Sequence, residues 1–201
     1  MTILPMLKLP FSDMYDKIHL IIKYRGVHMD INEVLKATEI MTGPFPELDK
    51  KEHNNPFSHF SQWYVHALKN GTAEPNSMVL STITQNNTPD SRVVLLKAMD
   101  DEALYFETGR FREKVIQLTH NSSVALNFYW REQGRQVRLK GTAELTTDIS
   151  HIADNLDAAV RDLNAYKTVP LEVEFYQALN EGGYARLLYK LTDGKWECNW
   201  L

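Results

Sequence analysis

The sequence is poor in the features that lock a chain covalently or send it into a membrane. Its 201 residues include one cysteine, Cys198, which excludes an intrachain disulfide and any multi-cysteine metal site and fits a reducing compartment. No apolar run approaches the ~18 residues of a membrane span. The opening Met1–Pro10 lacks a basic stretch followed by an apolar core, so no secretory signal is read and a cytoplasmic location is expected. The histidines at 19, 28, 53, 59, 66, 120 and 151 are scattered, without HxxxH or HExxH spacing, so no metal is expected. An excess of one charge is also missing. A net charge of -4 and a pI near 6.0 give no overall attraction to nucleic acid.

What is present is the composition of a globular protein, 43% hydrophobic and 24% charged, with enough length for one well-buried domain. Residues 1–54 read as a helical arm. Phe11, Met14, Tyr15, Ile18, Ile21 and Ile22 repeat at helical spacing, Asp30–Thr38 could start a second short helix, and Gly43-Pro-Phe-Pro46 breaks regular structure. From Pro56, residues Phe57, Phe60, Trp63, Tyr64, Ala67 and Leu68 mark an amphipathic helix ended by Gly71. Its His59 and His66 read as surface or packing residues.

Strands are expected over 77–84, 92–98, 103–107, 124–130, 136–145, 168–178, 185–191 and 196–200, with helices over 110–119 and from Asp148 to about Leu163. Short turns between successive strands imply an antiparallel sheet, and seven or eight strands would close into a barrel. The class expected is mainly β with flanking helices, with the barrel domain over 55–201. Trp196 and Trp200 read as core or dimer contacts, with Cys198 on the opposite face.

Positive charge is concentrated in one place. Arg92 and Lys97 bracket the apolar Val93, Val94, Leu95 and Leu96, and Arg110, Arg112 and Lys114 follow at an expected helix start. Free N–H groups of a helix terminus add to such a field, and fixed arginines bind a phosphate monoester through paired charge-assisted hydrogen bonds. Arg92 and Lys97 differ by five and face opposite sides of a regular strand, so both meet one ligand only at a strand end or across a bulge. Gln136, able to donate and accept, suits the edge of a heteroaromatic ring.

In order and spacing, Asn55-Pro-Phe57, Trp63, Ser77–Thr82, Arg92-Val-Val-Leu-Leu-Lys97, Tyr105-Phe-Glu-Thr108, Lys114, Phe128-Tyr-Trp130, Arg135-Gln-Val137 and Gly141 resemble the pyridoxamine 5′-phosphate oxidase family. The likeness covers about 55–147 and, more weakly, 172–200. It implies an antiparallel split β-barrel homodimer with flavin mononucleotide (FMN) at each of two subunit interfaces. It also implies cofactor contacts from the strand Arg92, Val93, Val94, Leu95 and Lys97, from Glu107 and Thr108, from Arg112 and Lys114 at the phosphate, and from Gln136, Tyr176 and Arg186. The activity implied is hydride transfer from a small molecule to the flavin and then to oxygen, with no residue named as catalytic base.

Departures bear on the substrate. Glu107 stands where the family has Tyr, Arg112-Glu113-Lys114 where it has Ser-Arg-Lys, and Gly182-Gly183-Tyr184 where an Arg-x-His grips the pyridoxal phosphate. The Arg/Ser-rich segment after the fifth strand is missing, Arg161 being the lone arginine of 148–170, and the closing Arg-Leu-x-Pro is absent. Each lost charge-assisted bond is worth about 1.5–3 kcal/mol. The flavin site therefore reads as kept and the vitamin phosphate site as lost or rebuilt. The alternatives are a genuine pyridoxamine phosphate oxidase, an aromatising oxidase of the phenazine branch (to which Thr42-Gly-Pro-Phe-Pro-Glu47 and Tyr129-Trp-Arg-Glu132 are similar), and a non-catalytic flavin or haem carrier.

Overall fold

In the computed structural model, residues 31–38, 40–50, 53–147 and 162–201 are described. The helix expected over 11–24, and nearly all of the one expected from Asp148, fall outside them. The chain forms two compact units, Met1–Ile40 and Met41–Leu201. The first contributes the short helix α1, Ile31–Ala37. The second holds the rest: a strap over 41–50, α2 (Pro56–Lys69), α3 (Glu113–His120) and eight strands, namely β1 (Ser77–Ile83), β2 (Pro89–Met99), β3 (Leu104–Gly109), β4 (Ser123–Trp130), β5 (Arg135–Thr146), β6 (Leu163–Ala178), β7 (Tyr184–Thr192) and β8 (Lys195–Trp200).

All pairings are antiparallel, in the order β3-β2-β1-β4-β5-β6-β7-β8, and β3 also pairs with β6. Six strands therefore close the barrel, not the seven or eight expected, and β7 and β8 extend the sheet beyond the ring. The reason lies in β6. Its first part, Leu163–Thr168, closes against β3, and its last part, Glu172–Ala178, pairs with β7. Between the two lies Pro170, which has no N–H to give to a ladder. The β5–β6 register shifts at the same point, with Gly141 opposite Pro170 and Lys140 opposite Glu172. A methyl group on Gly141 would lie 2.1 Å from the Val169 carbonyl oxygen, so only glycine permits this backbone approach.

The core follows the strand alternation. Met78, Leu80, Phe106, Leu126, Phe128, Val137, Leu139, Val173, Phe175 and Leu187 point inward. Helix α2 begins with Asn55 capping the Phe57 N–H and Pro56 in the first turn, and buries Phe57, Phe60, Trp63 and Ala67. Of the two readings for His59, surface or packing, the structure shows packing: it is almost fully enclosed, with its ring stacked 4.0 Å from that of Phe175. Cys198 departs from expectation. It shares the face of Trp196 and packs with it against the core, because residues two apart in a strand point the same way. No described helix is long and apolar enough to cross a membrane.

Candidate functional site

The cationic site is built where α3 meets the end of the barrel. Arg92 lies opposite Leu80 in the ladder, and its guanidinium turns toward α3. It donates to the Leu80 carbonyl (3.2 Å), the Thr82 hydroxyl (2.5 Å), Asp90 (2.5 Å) and Gln117 Oε1 (2.8 Å). Gln117 is the buried hub, accepting also from the Thr82 hydroxyl and donating to Asp90. Its amide, with Arg92 adding, holds the Asp90 carboxyl below its usual range. Neither Asp90 nor Gln117 was singled out in the sequence, and Thr82 entered only as the end of the Ser77–Thr82 motif. The available signal was the Asp90–Arg92 spacing of two on one strand face.

Arg112 and Lys114 complete the site. Arg112 is the N-cap of α3 without a side-chain cap of its own, and it makes no ion pair among the described residues. Lys114 Nζ donates to the Thr108 hydroxyl at 3.1 Å. Together with Asp90, Ser91, Arg92 and Glu113 they line an open groove of about 340 Å³. Burial, followed by repulsion from Arg92 and Arg112, lowers the Lys114 pKa, with Asp90 opposing. Cations gathered in this way suit an anionic ligand. The helix starts at Glu113, not Arg110, because Gly109–Arg112 forms a turn first.

The other sequence-selected residues divide by face. Val94 is buried in the core, whereas Val93 and Leu95 point outward from β2. Of the two alternatives, a strand end or a bulge, a bulge is present: Lys97 is the extra residue where the β2–β3 register shifts. It pairs with Glu107 at 3.9 Å, whose side chain is almost enclosed. On the outer face Tyr129, Gln136, Tyr176 and Arg186 form one row across β4, β5, β6 and β7, each opposite the next. Tyr176 stacks on Tyr184 with centroids 5.0 Å apart. Arg186 Nε donates to Glu174 at 2.5 Å, and Arg138 joins the same carboxylate at 3.1 Å.

The structure thus brings Arg92, Thr108, Arg112 and Lys114 together, and Gln136, Tyr176 and Arg186 together. In the six-strand ring β2 and β5 lie opposite each other, with β1 and β4 between them on one side and β3 and β6 on the other, so Arg92 and Gln136 belong to opposite sides of the barrel. Arg135, beside Gln136, is buried. Its guanidinium lies 4.3 Å from the centre of the Trp63 ring and donates to Gln177 at 2.9 Å. Burial lowers its pKa to about 10, with Asp49 opposing.

A family model for pyridoxamine 5′-phosphate oxidase matches residues 65–174. Pyridoxine/pyridoxamine 5′-phosphate oxidase 2 of Hydrogenovibrio crunogenus is 29% identical over 183 residues, covering 71% of this chain and 86% of that protein. The pyridoxine/pyridoxamine 5′-phosphate oxidase of Burkholderia thailandensis is 41% identical over 102 residues, 50% of this chain and 48% of the relative. At that higher identity the match spans about half of the relative's length. Among solved structures, PhzG from Burkholderia lata 383, in complex with tetrahydrophenazine-1-carboxylic acid, has a TM-score of 0.67 at 22% identity, covering 79% of this chain and 99% of that one. A pyridoxamine 5′-phosphate oxidase-related, FMN binding protein from Nostoc punctiforme has a TM-score of 0.61 at 15% identity, covering 75% and 99%. At those identities the two structures establish the shared fold.

Proposed function

Because the chain belongs to the pyridoxamine 5′-phosphate oxidase family, we propose that it is an FMN-dependent oxidoreductase whose substrate is not the phosphorylated vitamin. The observation that carries this reading is the pair Arg112 and Lys114. They are two cations without a carboxylate partner among the described residues, set with Thr108 at the start of α3. That donor set fits a phosphate monoester: a planar fork, a point charge, a hydroxyl and uncapped helix N–H groups. Arg92 stands behind them as the group that holds the groove's wall.

The ring end is assigned to Gln136, Tyr176 and Arg186, with a second copy of the chain as the partner that joins the two groups into one site. Val93 and Tyr129, apolar or aromatic and exposed on the outer face, are the surface that such a copy would cover. When bound, FMN supplies the redox chemistry, taking a hydride equivalent from a substrate C–H and passing electrons on to oxygen. The protein's share is to bind the phosphate, to orient the ring and to set the charge around it. Arg186 and Arg138 around the single Glu174 leave one net positive charge there, suited to the negative charge that reduction places on a flavin.

Among the described residues, the turn over 182–184 offers a phosphorylated substrate no cation. Gly182 and Gly183 carry no side chain, Tyr184 carries no charge, and Lys97 is paired with Glu107. The stacked Tyr176 and Tyr184 instead favour an aromatic substrate. Adding FMN to the purified protein tests the reading. Binding is expected to shift the flavin bands and quench flavin fluorescence, and a protein that leaves both unchanged refutes it.

A further inference from the structure

We infer that the strap over 41–50 is clasped by Asn180, making Asn180 a positioning residue for the row that carries Gln136, Tyr176 and Arg186. The inference rests on the assignment of that row to the flavin ring. The strap has neither helix nor strand of its own and is held from outside. Its Phe45 N–H donates to Asn180 Oδ1 at 2.7 Å, and Asn180 Nδ2 donates back to the Phe45 carbonyl at 3.1 Å. One amide thereby satisfies both backbone groups of one residue, as a strand partner would. A further bond runs from Gln177 Nε2 to the Pro46 carbonyl at 2.7 Å.

The glycines on either side serve this contact. A methyl group on Gly43 would lie 2.8 Å from Asn180 Oδ1, and one on Gly134 would lie 2.8 Å from the Phe45 ring. Gly134 also has φ +60°, a backbone region that favours glycine. The motif Gly43-Pro-Phe-Pro46 is thus the part of the strap that fits between two strand ends.

Each anchor lies within a few residues of the ring row along the chain. Gln177 follows Tyr176, Gly134 lies two residues before Gln136, and Asn180 opens the turn that leads to Tyr184 and Arg186. Gln177 Oε1 also accepts the bond from Arg135, which links the strap to the residue beside Gln136. The turn itself is loose in its chemistry. Gly182 and Gly183 adopt φ +95° and +79° with open space around both. A turn with two glycines has much conformational freedom, and the Asn180–Phe45 clasp, together with the turn's own bonds between Leu179, Gly182 and Gly183, limits it. Where cationic side chains are absent from the turn, an external strut sets the position of Tyr184 and Arg186.

The test compares FMN with riboflavin, which has the ring but no phosphate. Asn180→Ala is expected to weaken both ligands by the same factor, roughly fivefold to tenfold. Arg112→Ala should weaken FMN alone. Asn180→Asp keeps the acceptor for the Phe45 N–H and loses the donor, so it should fall between wild type and alanine. Gly43→Ala opens the clasp from the strap side and should reproduce the alanine result if Asn180→Ala does not fold. Folded clasp variants that bind both flavins as tightly as wild type overturn the inference while leaving the flavin assignment standing. A wild-type protein that binds neither flavin removes both.

Discussion

Replacing Arg92 with alanine should damage the fold as well as the groove, and the two effects can be separated. The guanidinium makes four hydrogen bonds within the chain, two of them to side chains that are nearly inaccessible, Thr82 and Gln117. Thr82 and Gln117 retain each other, and Asp90 keeps its bond from Gln117 and reaches water. The loss is therefore smaller than four full bonds. It amounts to the charge-assisted bonds to the inner pair plus the space left by the side chain, about 2–3 kcal/mol. For a domain of this size that corresponds to a fall in Tm of about 5–10 °C. Arg112→Ala, which breaks no described hydrogen bond, should leave Tm within about 2 °C. Thermal melts of the two variants beside FMN titrations make the comparison. Both should lose FMN affinity, but only Arg92→Ala should lose stability. A variant Arg92→Ala that melts with the wild type yet no longer binds FMN would mean that Arg92 is a direct phosphate ligand and not the wall behind one.

Further outcomes follow from other sites. Burial, with repulsion from His53 and Arg135 adding to it, depresses the His59 pKa to about 4. The unfolded chain then takes up a proton first as pH falls, so stability declines between about pH 6.5 and 4, by about 3 kcal/mol in total. His59→Phe, which keeps a ring on Phe175, should flatten that decline in denaturant titrations across the window. Gly141→Ala forces a methyl group onto the Val169 carbonyl and should cost about 3–5 kcal/mol; a melt unchanged from wild type would show that the β5–β6 crossing is looser than described. Pyridoxamine 5′-phosphate should be a poor substrate, and pyridoxal phosphate formation at an ordinary enzymatic rate would reverse the reading of Gly182, Gly183 and Tyr184.

The sheet was legible because its signals are local. Alternation of apolar residues places β1, β4 and β5 within one or two residues of their observed bounds, and Asn55-Pro56 marks the start of α2 without ambiguity. The start of β6 was not legible. Leu163–Thr168 takes its strand character from pairing with β3, 54 to 64 residues earlier. Closure by six strands has the same origin, since nothing in the local pattern says that β6 serves three partners, β3 and β7 besides β5. At the site, the cations of 92–114 stood out by number, but their division of labour did not. Whether Arg92 is free or engaged depends on Gln117, a helix residue whose burial no periodicity reveals. The Asn180–Phe45 contact spans 135 residues and has no sequence signature beyond an unabsorbed Gly-Pro-Phe-Pro.

Whether Arg112 and Lys114 hold the phosphate of a flavin nucleotide is measured most directly by the ratio of FMN to riboflavin affinity in the wild type and in the double variant Arg112→Ala, Lys114→Ala. The wild type is expected to prefer FMN by more than about a hundredfold, the low end of what two charge-assisted bonds of about 1.5–3 kcal/mol each are worth, and the double variant to lose most of that preference while binding riboflavin unchanged. Equal affinity of the wild type for the two flavins, or an undiminished preference in the double variant, would contradict that role.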